Sequence, residues 1–278
     1  MGDKVQVSVA MGVYCPRDTG RLYGAVESLI AQTWQDWELL LYDDGSPEPM
    51  AGAIRQAAKR DPRVRYLRGG ENRGLAFALN QCLAQSRGEY IARLDGDDLC
   101  APRRLEKQLA FLAAHPQYQW VGSNAELMDA GGVWGFQKMP EIPEKWDFLF
   151  NSPYLHPTVT FRREALLEAG GYDTSPAVLL CEDYELFFRL HQRGLRGYNL
   201  QEPLLRYWED YGSQHRRTYR RRLREARLRF WGFRKLGILG PGTLGYVLKP
   251  LAVGAVPAPV HYTLRRWRKG GSSHGKAL

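Results

Sequence analysis

Cysteine is scarce in this chain of 278 residues, and the four cysteines that are present lie far apart. None of them belongs to a CxxC pair, the spacing that many zinc sites and redox motifs use. The sequence therefore argues against a zinc site and against a disulfide framework, and this cysteine usage suits a reducing cytosol. The cysteines are Cys15, Cys82, Cys100 and Cys181.

A secretory signal and a clear membrane span are also missing. The stretch from Lys4 to Tyr14 has the pattern of a strand, and it lacks the long apolar core and the cleavage site of a signal peptide. The segment from Leu236 to Leu264 carries one formal charge, Lys249, but prolines and glycines interrupt it. A span needs roughly 20 mostly apolar residues in one helix. We therefore expect a cytoplasmic protein without a transmembrane helix.

Positive charge is distributed unevenly along the chain. Lysine and arginine number 39 against 30 acidic residues, which gives a net charge of +9, and the excess lies mainly from His215 onward. Such a region can bind nucleic acid, anionic lipid or a phosphorylated ligand. The remaining composition, with 44% hydrophobic and 25% charged residues, is ordinary for a globular protein. The length predicts one large domain, or one and a half.

The first hundred residues alternate between strand and helix patterns. Short runs of β-favouring residues predict strands at about 5–10, 37–42, 64–67 and 90–94. Apolar residues at helical spacing predict helices at about 22–30 and 75–83, and a third that Ser46 and Pro47 open and that ends near Lys59. This alternation predicts an α/β fold with a mainly parallel central sheet and helices on both faces. Ligands of such sheets bind beyond the carboxyl ends of the strands.

The second half of the chain is mixed. Helices are predicted at about 103–114 and 144–150, and strands at about 120–128 and 158–162. Trp134 falls in a predicted loop. A further helix begins near Cys181, with Leu186, Phe187 and Leu190 on its inward face. We find no internal repeat and no linker that would separate independent domains.

Two acidic turns follow strands that end at the same predicted sheet edge. Asp43-Asp44 follows the second strand, and Asp95-Gly96-Asp97-Asp98 follows the fourth. Packing carboxylates this closely costs Coulomb energy unless a cation lies between them. Carboxylate oxygens suit Mg²⁺ or Mn²⁺, which prefer one or two carboxylates together with the oxygens of a phosphorylated substrate. A solvated acidic turn explains either segment alone equally well, whereas two converging turns favour a cation site.

Six segments occur in an order and spacing that match a known family. They are Val7-Ser8-Val9 through Tyr14; Gln32-Thr33-Trp34 through Leu40; Asp43-Asp44-Gly45-Ser46; Asn72-Arg73-Gly74-Leu75; Ala92 through Asp98; and Glu182-Asp183. The chain resembles the family 2 glycosyltransferases, which are inverting enzymes with the glycosyltransferase A-type fold. No single segment is specific, but the ordered set is, and it covers roughly residues 5–215.

The resemblance implies a nucleotide site and a metal site. Asp44, with Asp43 beside it, would contact the nucleotide base, and the loop that contains Tyr14 would also line the base. Asp97 would bind the divalent metal, and Asp95 would lie nearer the ribose or the metal.

The resemblance also implies the groups that react. Asp183 is the expected general base, with Glu182 beside it. Both acids also fit the N-terminus of a helix, where they interact favourably with the helix dipole by about 0.3–1 kcal/mol, and the two roles are compatible. His156 falls where the family often has a histidine near the diphosphate or the acceptor, although a lone histidine before a strand is more often structural. Arg73 would meet the diphosphate, or it is an ordinary solvated loop arginine.

Residues 213–278 are expected to form a basic helical extension. Nine arginines stand between Arg216 and Arg234 against one acid, Glu225. Basic residues that flank an apolar, aromatic-bearing stretch suit a segment lying on an anionic leaflet. A solvated basic helix with a packed C-terminal extension explains the pattern equally well. Gln214 to Arg217 lacks the tryptophan of the Gln-x-x-Arg-Trp motif that processive members carry, which predicts the addition of a single sugar.

The residues and the resemblance together predict a metal-dependent inverting glycosyltransferase with a domain at residues 1–212. Its nucleotide-binding half would span about 1–100 and its acceptor half about 101–212. The expected donor is a nucleoside diphosphate sugar, with UDP favoured by the family, and the expected cofactor is Mn²⁺ or Mg²⁺. The expected acceptor is a glycan or a lipid-linked sugar, used in cell-surface polysaccharide synthesis on the inner face of the cell membrane.

Three other function classes fit the sequence less well. A sugar nucleotidyltransferase would need a glycine-rich phosphate loop after the first strand, where Met11-Gly12-Val13-Tyr14 stands. A nucleic-acid-binding protein would use the arginine run, but the acidic turns would repel phosphates, so no nucleic-acid partner is expected. A Rossmann dehydrogenase is disfavoured because no GxGxxG follows a strand.

Overall fold

The structure, a computed structural model, describes residues 5–210 and 218–270. These residues form one mixed sheet with helices on both faces. The strands are β1 (Val7–Val13), β2 (Trp37–Asp43), β3 (Val64–Arg68), β4 (Tyr90–Arg93), β5 (Leu99–Cys100), β6 (Trp120–Asp129), β7 (Gly132–Gln137), β8 (Thr160–Arg162) and β9 (Gly197–Trp208). The helices are α1 (Thr19–Ile30), α2 (Met50–Ala58), α3 (Leu75–Gln85), α4 (Arg104–Ala114), α5 (Arg163–Glu168), α6 (Glu182–Gln192), α7 (Tyr219–Lys235), α8 (Leu244–Gly254) and α9 (Ala258–Gly270).

The strand order explains why the two acidic turns meet. The sheet runs β3-β2-β1-β4-β8-β6-β9-β5, and β7 pairs with β6 outside this path. β1 pairs in parallel with both β2 and β4, with Val13 opposite Asp43 and Ala10 opposite Arg93. Because parallel strands end at the same edge, the turns after β2 and β4 flank the end of β1. The predicted parallel arrangement of the first half is therefore confirmed.

Alternation along the strands divides the apolar residues between two cores. Val7, Val9 and Met11 of β1 pack into one core with α1 and α4, whereas Ala10 faces the other core. The second core receives α3, α5 and α6 and also reaches the C-terminal helices, where Phe233 is fully buried. Burial on both faces is what a parallel sheet covered by helices requires.

Strand β9, a long strand that pairs in parallel with β6, has no counterpart among the predicted elements. It contains Pro203, and its register against β6 shifts on both sides of Asn124, opposite that proline. Proline removes a ladder hydrogen bond and interrupts the strand pattern, which hides such a strand from sequence analysis. The prediction for Trp134 is also wrong, because this residue lies in β7 and not in a loop.

The start of α2 differs from the prediction as well. The Ser46 hydroxyl accepts a hydrogen bond from the Cys15 N–H at 3.0 Å, and the Ser46 N–H donates to Asp43 at 2.8 Å. Ser46 therefore joins two loops at the sheet edge and does not cap the helix. The helix begins at Met50, and the region predicted as a helix near 144–150 is a 3₁₀ turn, Lys145–Leu149.

The basic extension packs onto the body of the protein through α7. Arg229 is buried, where it donates to the Leu149 carbonyl at 2.9 Å and pairs with Glu225 at 3.0 Å. The arginine run is helical from Tyr219 onward, as predicted, whereas Gln214 to Arg217 lies outside the described residues. Among the described residues no single helix has the length and apolarity of a membrane span. The segments Pro241–Gly254 and Pro259–Gly270 reach that length and composition only when they are taken as a pair, and the pair is bent by 119°.

We expect Gly232→Ala to loosen α7 from α6. A Cβ at this position would lie 2.7 Å from the Phe188 ring, so the helix or the ring must move. Such overpacking costs about 1–3 kcal/mol, which thermal unfolding would report as a lower Tm. Gly245→Ala, in α8, is the matched control because a Cβ there meets nothing within 4 Å. Equal Tm values for the two variants would contradict the packing of α7.

Candidate active site

The turn after β2 is held by Asp43. Its Oδ1 accepts the Ser46 N–H at 2.8 Å, and its Oδ2 accepts the Tyr66 hydroxyl at 2.8 Å. Arg68 Nε lies 3.7 Å from the same Oδ2, and the Asp43 side chain is fully buried. Both carboxylate oxygens are therefore engaged within the protein.

Asp44 has one engaged oxygen and one without a partner. Its Oδ2 accepts the N–H groups of Arg73 at 3.0 Å and Gly74 at 2.7 Å, which ties the turn to the start of α3. Its Oδ1 is buried and makes no hydrogen bond within the described residues. A buried acceptor costs free energy unless something donates to it. Gly45 permits the close approach, because its φ is +78° and a Cβ would lie 2.6 Å from the Glu71 backbone.

A cavity of about 290 Å³, the sheet-edge cavity, opens beside Asp44. Tyr14, Asp44 and Arg73 line it, together with residues at the start of α3 and residues between 173 and 182. The Tyr14 ring is half exposed, and the Arg73 guanidinium stacks on Phe77 at 3.8 Å from the ring centroid. Asp43 does not line this cavity. The structure thus brings together three of the residues predicted to bind the nucleotide.

The second acidic turn combines an ion pair with a buried carboxyl group. Asp95 pairs with Arg93, whose side chain is buried. Asp98 is fully buried and accepts the Trp208 N–H at 2.8 Å through Oδ1, while its Oδ2 has no hydrogen bond among the described residues. Burial, and then the charges of Asp97 and Asp95, raise the pKa of Asp98 well above its ordinary value. Asp97 is half-buried between them.

This donor set suits a hard divalent cation. The turn supplies several carboxylate oxygens, one of them buried without a partner, and their mutual repulsion would be relieved by a positive ion. Within residues 5–210 and 218–270, no three His, Cys, Asp or Glu side chains converge as a complete metal site. Mg²⁺ and Mn²⁺ commonly bind through one or two carboxylates and complete their coordination with water and phosphate oxygens.

A second cavity, the central cavity of about 360 Å³, joins the acidic turn to the start of α6. Asp95, His156, Glu182 and Asp183 all line it, whereas Asp97 does not. The acidic turn, through Asp95, and the expected general base Asp183 therefore line one cleft. The central cavity also adjoins the sheet-edge cavity, because Leu75, Leu180 and Glu182 line both.

The first two residues of α6 are acids in a poorly solvated position. Burial, followed by the charge of Asp183, raises the pKa of Glu182 to about 7. Burial also raises the pKa of Asp183, and the positive charge of Arg221 opposes that shift. At both positions desolvation, which raises the carboxyl pKa, therefore outweighs the helix N-terminus, which lowers it.

We expect Glu182→Gln to remove a pH dependence of stability. Between about pH 4.5, the ordinary pKa, and pH 7, the folded protein keeps a proton that the unfolded chain has lost, so the free energy of unfolding falls as pH rises. The variant should exceed the wild type by on the order of 3 kcal/mol at pH 8 and match it at pH 4. Urea denaturation at both pH values measures this difference, with the exposed Glu168→Gln as the control. An E182Q advantage of the same size at pH 4 and pH 8 would contradict the assignment.

His156 has a structural bond and also faces the central cavity. Its Nε2 lies 2.9 Å from the Tyr172 hydroxyl, and the side chain is buried. Burial, and then the charge of Arg93, lower the pKa of His156 well below its ordinary value. The histidine is therefore neutral near pH 7 and is held in place by the tyrosine.

Four arginines that the sequence analysis did not assign to the site also line the central cavity: Arg93, Arg221, Arg222 and Arg265. Arg93 is 1% exposed, and the only signal for it in the sequence is its position two residues before Asp95. The other three come from α7 and α9. Their place in the site depends on how those helices pack, which the arginine run alone does not reveal.

The family model for glycosyl transferase family 2 matches residues 17–170. The chain belongs to this family. EpsE of Bacillus subtilis, named as a glycosyltransferase, is 37% identical over 262 residues, which cover 94% of this chain and 93% of EpsE. The amylovoran biosynthesis glycosyltransferase AmsE of Erwinia amylovora is 29% identical over 204 residues, or 72% of this chain and 74% of AmsE.

Solved structures show that this family 2 glycosyltransferase has the glycosyltransferase A-type fold. Residues 1–349 of Staphylococcus aureus TarS, in complex with UDP, match with a TM-score of 0.65 at 16% identity, covering 94% of this chain and 75% of that one. The Pyrobaculum calidifontis mannosyltransferase PcManGT, in complex with GDP-Man and Mn²⁺, matches with a TM-score of 0.59 at 19% identity, covering 95% and 80%. The predictions of family, fold and enzyme class are therefore confirmed.

Proposed function

We propose that this protein is a metal-dependent inverting glycosyltransferase that moves a sugar from a UDP-sugar to a hydroxyl group of a glycan or lipid-linked acceptor. The observation that carries the proposal is that the sheet-edge cavity, which Asp44 lines, adjoins the central cavity, which Asp95 and Asp183 line. Relatives named for amylovoran and O-antigen biosynthesis support a role in surface polysaccharide synthesis. The protein would act peripherally on the inner face of the cell membrane, without a nucleic-acid partner.

The sheet-edge cavity takes the nucleotide in this proposal. The unpartnered Asp44 Oδ1 is an acceptor, and uracil presents an N–H donor on its pairing edge. Tyr14 offers a ring beside the base, and Arg73 offers a positive charge for the diphosphate. Asp43, whose oxygens are engaged in the turn, would act by holding Asp44 in place. The UDP complex of TarS and the GDP-Man complex of PcManGT support a nucleotide ligand.

Asp95 and Asp97 would hold a Mn²⁺ or Mg²⁺ ion at the acidic turn after β4. The ion, when bound, stabilises the negative charge that develops on the departing diphosphate. The buried Arg93 fixes the Asp95 side chain through an ion pair, so this carboxylate is held at the cavity wall before a donor binds. The Mn²⁺ in the PcManGT complex supports a divalent cation.

Asp183 is the general base in this proposal. It accepts the proton of the acceptor hydroxyl as that oxygen bonds to the anomeric carbon, while the bond from this carbon to the diphosphate oxygen breaks. A single displacement of this kind inverts the anomeric configuration. Burial raises the pKa of Asp183, which makes the carboxylate a stronger base, while the Arg221 charge favours its ionised form.

Nucleotide binding tests the proposal directly. UDP-sugars, with Mn²⁺, should raise the Tm more than GDP-, dTDP- or CMP-sugars, because a ligand that binds only the folded state stabilises it. Asp44→Asn should lose most of this shift, whereas the exposed Asp36→Asn should retain it. If no nucleotide sugar raises the Tm of the wild-type protein, the proposal is wrong.

A further inference from the structure

A third cavity, of about 550 Å³, lies among α7, α8 and α9, and we call it the C-terminal cavity. It is lined in part by residues that also line the central cavity: Gln137, Asn151, Arg222, Glu225 and Arg265. Among the described residues, none lines both the C-terminal cavity and the sheet-edge cavity. The three cavities therefore adjoin one another in a row, and the one that Asp183 lines stands in the middle.

The C-terminal cavity carries an excess of positive charge. Six of its lining residues are arginine or lysine and one, Glu225, is an acid. Glu225 is already paired with Arg222 at 3.2 Å and with Arg229 at 3.0 Å. In the part of the chain that the structure describes, Lys249, Arg268 and Lys269 form no ion pair. The acids whose charges act on the two lysines are Glu225 and Glu209, and both are already paired with arginines.

The two lysines of the C-terminal cavity have lowered pKa values, because burial and neighbouring positive charges disfavour their charged form. Burial, followed by the charge of Arg229, lowers the pKa of Lys249, whose Nζ donates to the Phe150 carbonyl at 2.9 Å. Burial and then the charge of Arg265 lower the pKa of Lys269. An anion in the cavity would offset both effects, because it would supply the missing counter-charge.

The same cavity has an apolar wall that continues to the protein surface. Pro250, Val253, Val256, Leu264 and Trp267 line it. Leu264 is 53% exposed and Trp267 is 79% exposed. Exposing large apolar side chains to water costs free energy, which contact with other apolar groups would recover. A fully polar anion, such as a nucleotide diphosphate, would satisfy the cations but leave this wall in water. The combined chemistry fits an anion attached to a hydrocarbon chain.

We propose that the C-terminal cavity binds the phosphate group and adjoining hydrocarbon chain of a lipid-linked acceptor. This inference rests on the proposed function, and it assigns the acceptor to a site built by residues of the basic extension. With the phosphate beside Lys249 and Arg268, the attached sugar would extend through the shared wall at Arg222 and Arg265 into the central cavity. There its hydroxyl would meet Asp183. The arginine-rich extension is then an acceptor-binding element of the enzyme.

Binding of farnesyl diphosphate tests the inference without requiring transfer. The full chain is first saturated with UDP and Mn²⁺, which occupies the donor site, and calorimetry then measures farnesyl diphosphate binding below its micelle concentration. We expect saturable binding, which Lys249→Gln with Arg268→Gln weakens by roughly tenfold or more. Arg234→Gln with Lys235→Gln, which removes equal charge from exposed positions outside the cavity, should leave binding unchanged.

Further ligands and variants separate the parts of the proposal. Inorganic diphosphate should bind more weakly than farnesyl diphosphate, and Trp267→Ala should weaken only the latter. Equal losses in the two double variants would mean general charge attraction and would overturn the assignment. Competition by excess UDP and Mn²⁺ would place the probe in the donor site and would also overturn it. If UDP binds normally but farnesyl diphosphate does not, the acceptor site alone fails and the proposed function stands.

Discussion

Asp183→Asn is expected to lower kcat by about 10²–10⁴-fold, which is the usual contribution of a general base. Asn preserves the size of the side chain but cannot accept the proton of the acceptor hydroxyl. In the proposed function the donor nucleotide binds in a different cavity, so the dissociation constant for UDP should change little. Initial rates with a UDP-sugar donor and calorimetry with UDP measure the two quantities separately.

Stability provides an independent control for Asp183→Asn. Burial raises the pKa of Asp183, so the folded state is penalised for holding the ionised form above the ordinary pKa. The variant should therefore unfold at an equal or higher Tm than the wild type at pH 8. Glu185→Gln is the matched control, because Glu185 is an acid in the same helical turn as Asp183. Glu185 pairs with Arg189 at 2.8 Å and lines neither the sheet-edge cavity nor the central cavity. Its kcat should stay close to the wild-type value, and near-normal turnover in D183N would remove Asp183 as the base.

Asp97→Asn is expected to lower kcat/KM by roughly 10³-fold and to abolish the dependence of UDP binding on Mn²⁺. The substitution removes one carboxylate from a turn in which Asp95 and Asp98 lie within two residues. With fewer anionic oxygens, the turn should no longer retain a divalent ion against water. Calorimetry with UDP, with and without Mn²⁺, measures the change directly.

The neighbouring aspartate distinguishes loss of metal from loss of structure. Asp95→Asn should weaken metal binding and also lower the Tm, since buried Arg93 would lose its carboxylate partner. The exposed Asp36→Asn should change neither quantity. If D97N keeps the wild-type response to Mn²⁺, Asp97 is not a ligand, and Asp95 and Asp98 become the residues to examine.

The sequence predicted the first half of the fold well because each local signal agreed with the tertiary structure. Strands β1, β2 and β4 alternate, and the acids that follow β2 and β4 mark the functional edge of the sheet. The order of the motifs identified the family without a structure. Strand β9 was missed because Pro203 interrupts its pattern, and Ser46 was misassigned because its hydroxyl binds a loop 31 residues away.

The arginines that line the central cavity could not be assigned from the sequence, for a different reason. A run of arginines predicts a basic helix, but it does not say which arginine faces a cleft. Gly232 allows α7 to approach the Phe188 ring, and that contact helps to fix the side of the helix that faces the protein. The carboxyl group of Asp43 illustrates the same limit, because its engagement by Tyr66 depends on β3 lying beside β2.

The packing of α7 against α6 also joins the body of the protein, which contains the region that the family model matches, to the helices that we propose select what is glycosylated. The family match ends at residue 170, yet the walls of the central and C-terminal cavities continue into residues 218–270. An excised fragment that stops after β9 would retain Asp44 and the acidic turn but would lose three of the four arginines that line the central cavity. Chimeras that exchange these last helices between relatives should therefore inherit donor preference from one parent and acceptor preference from the other.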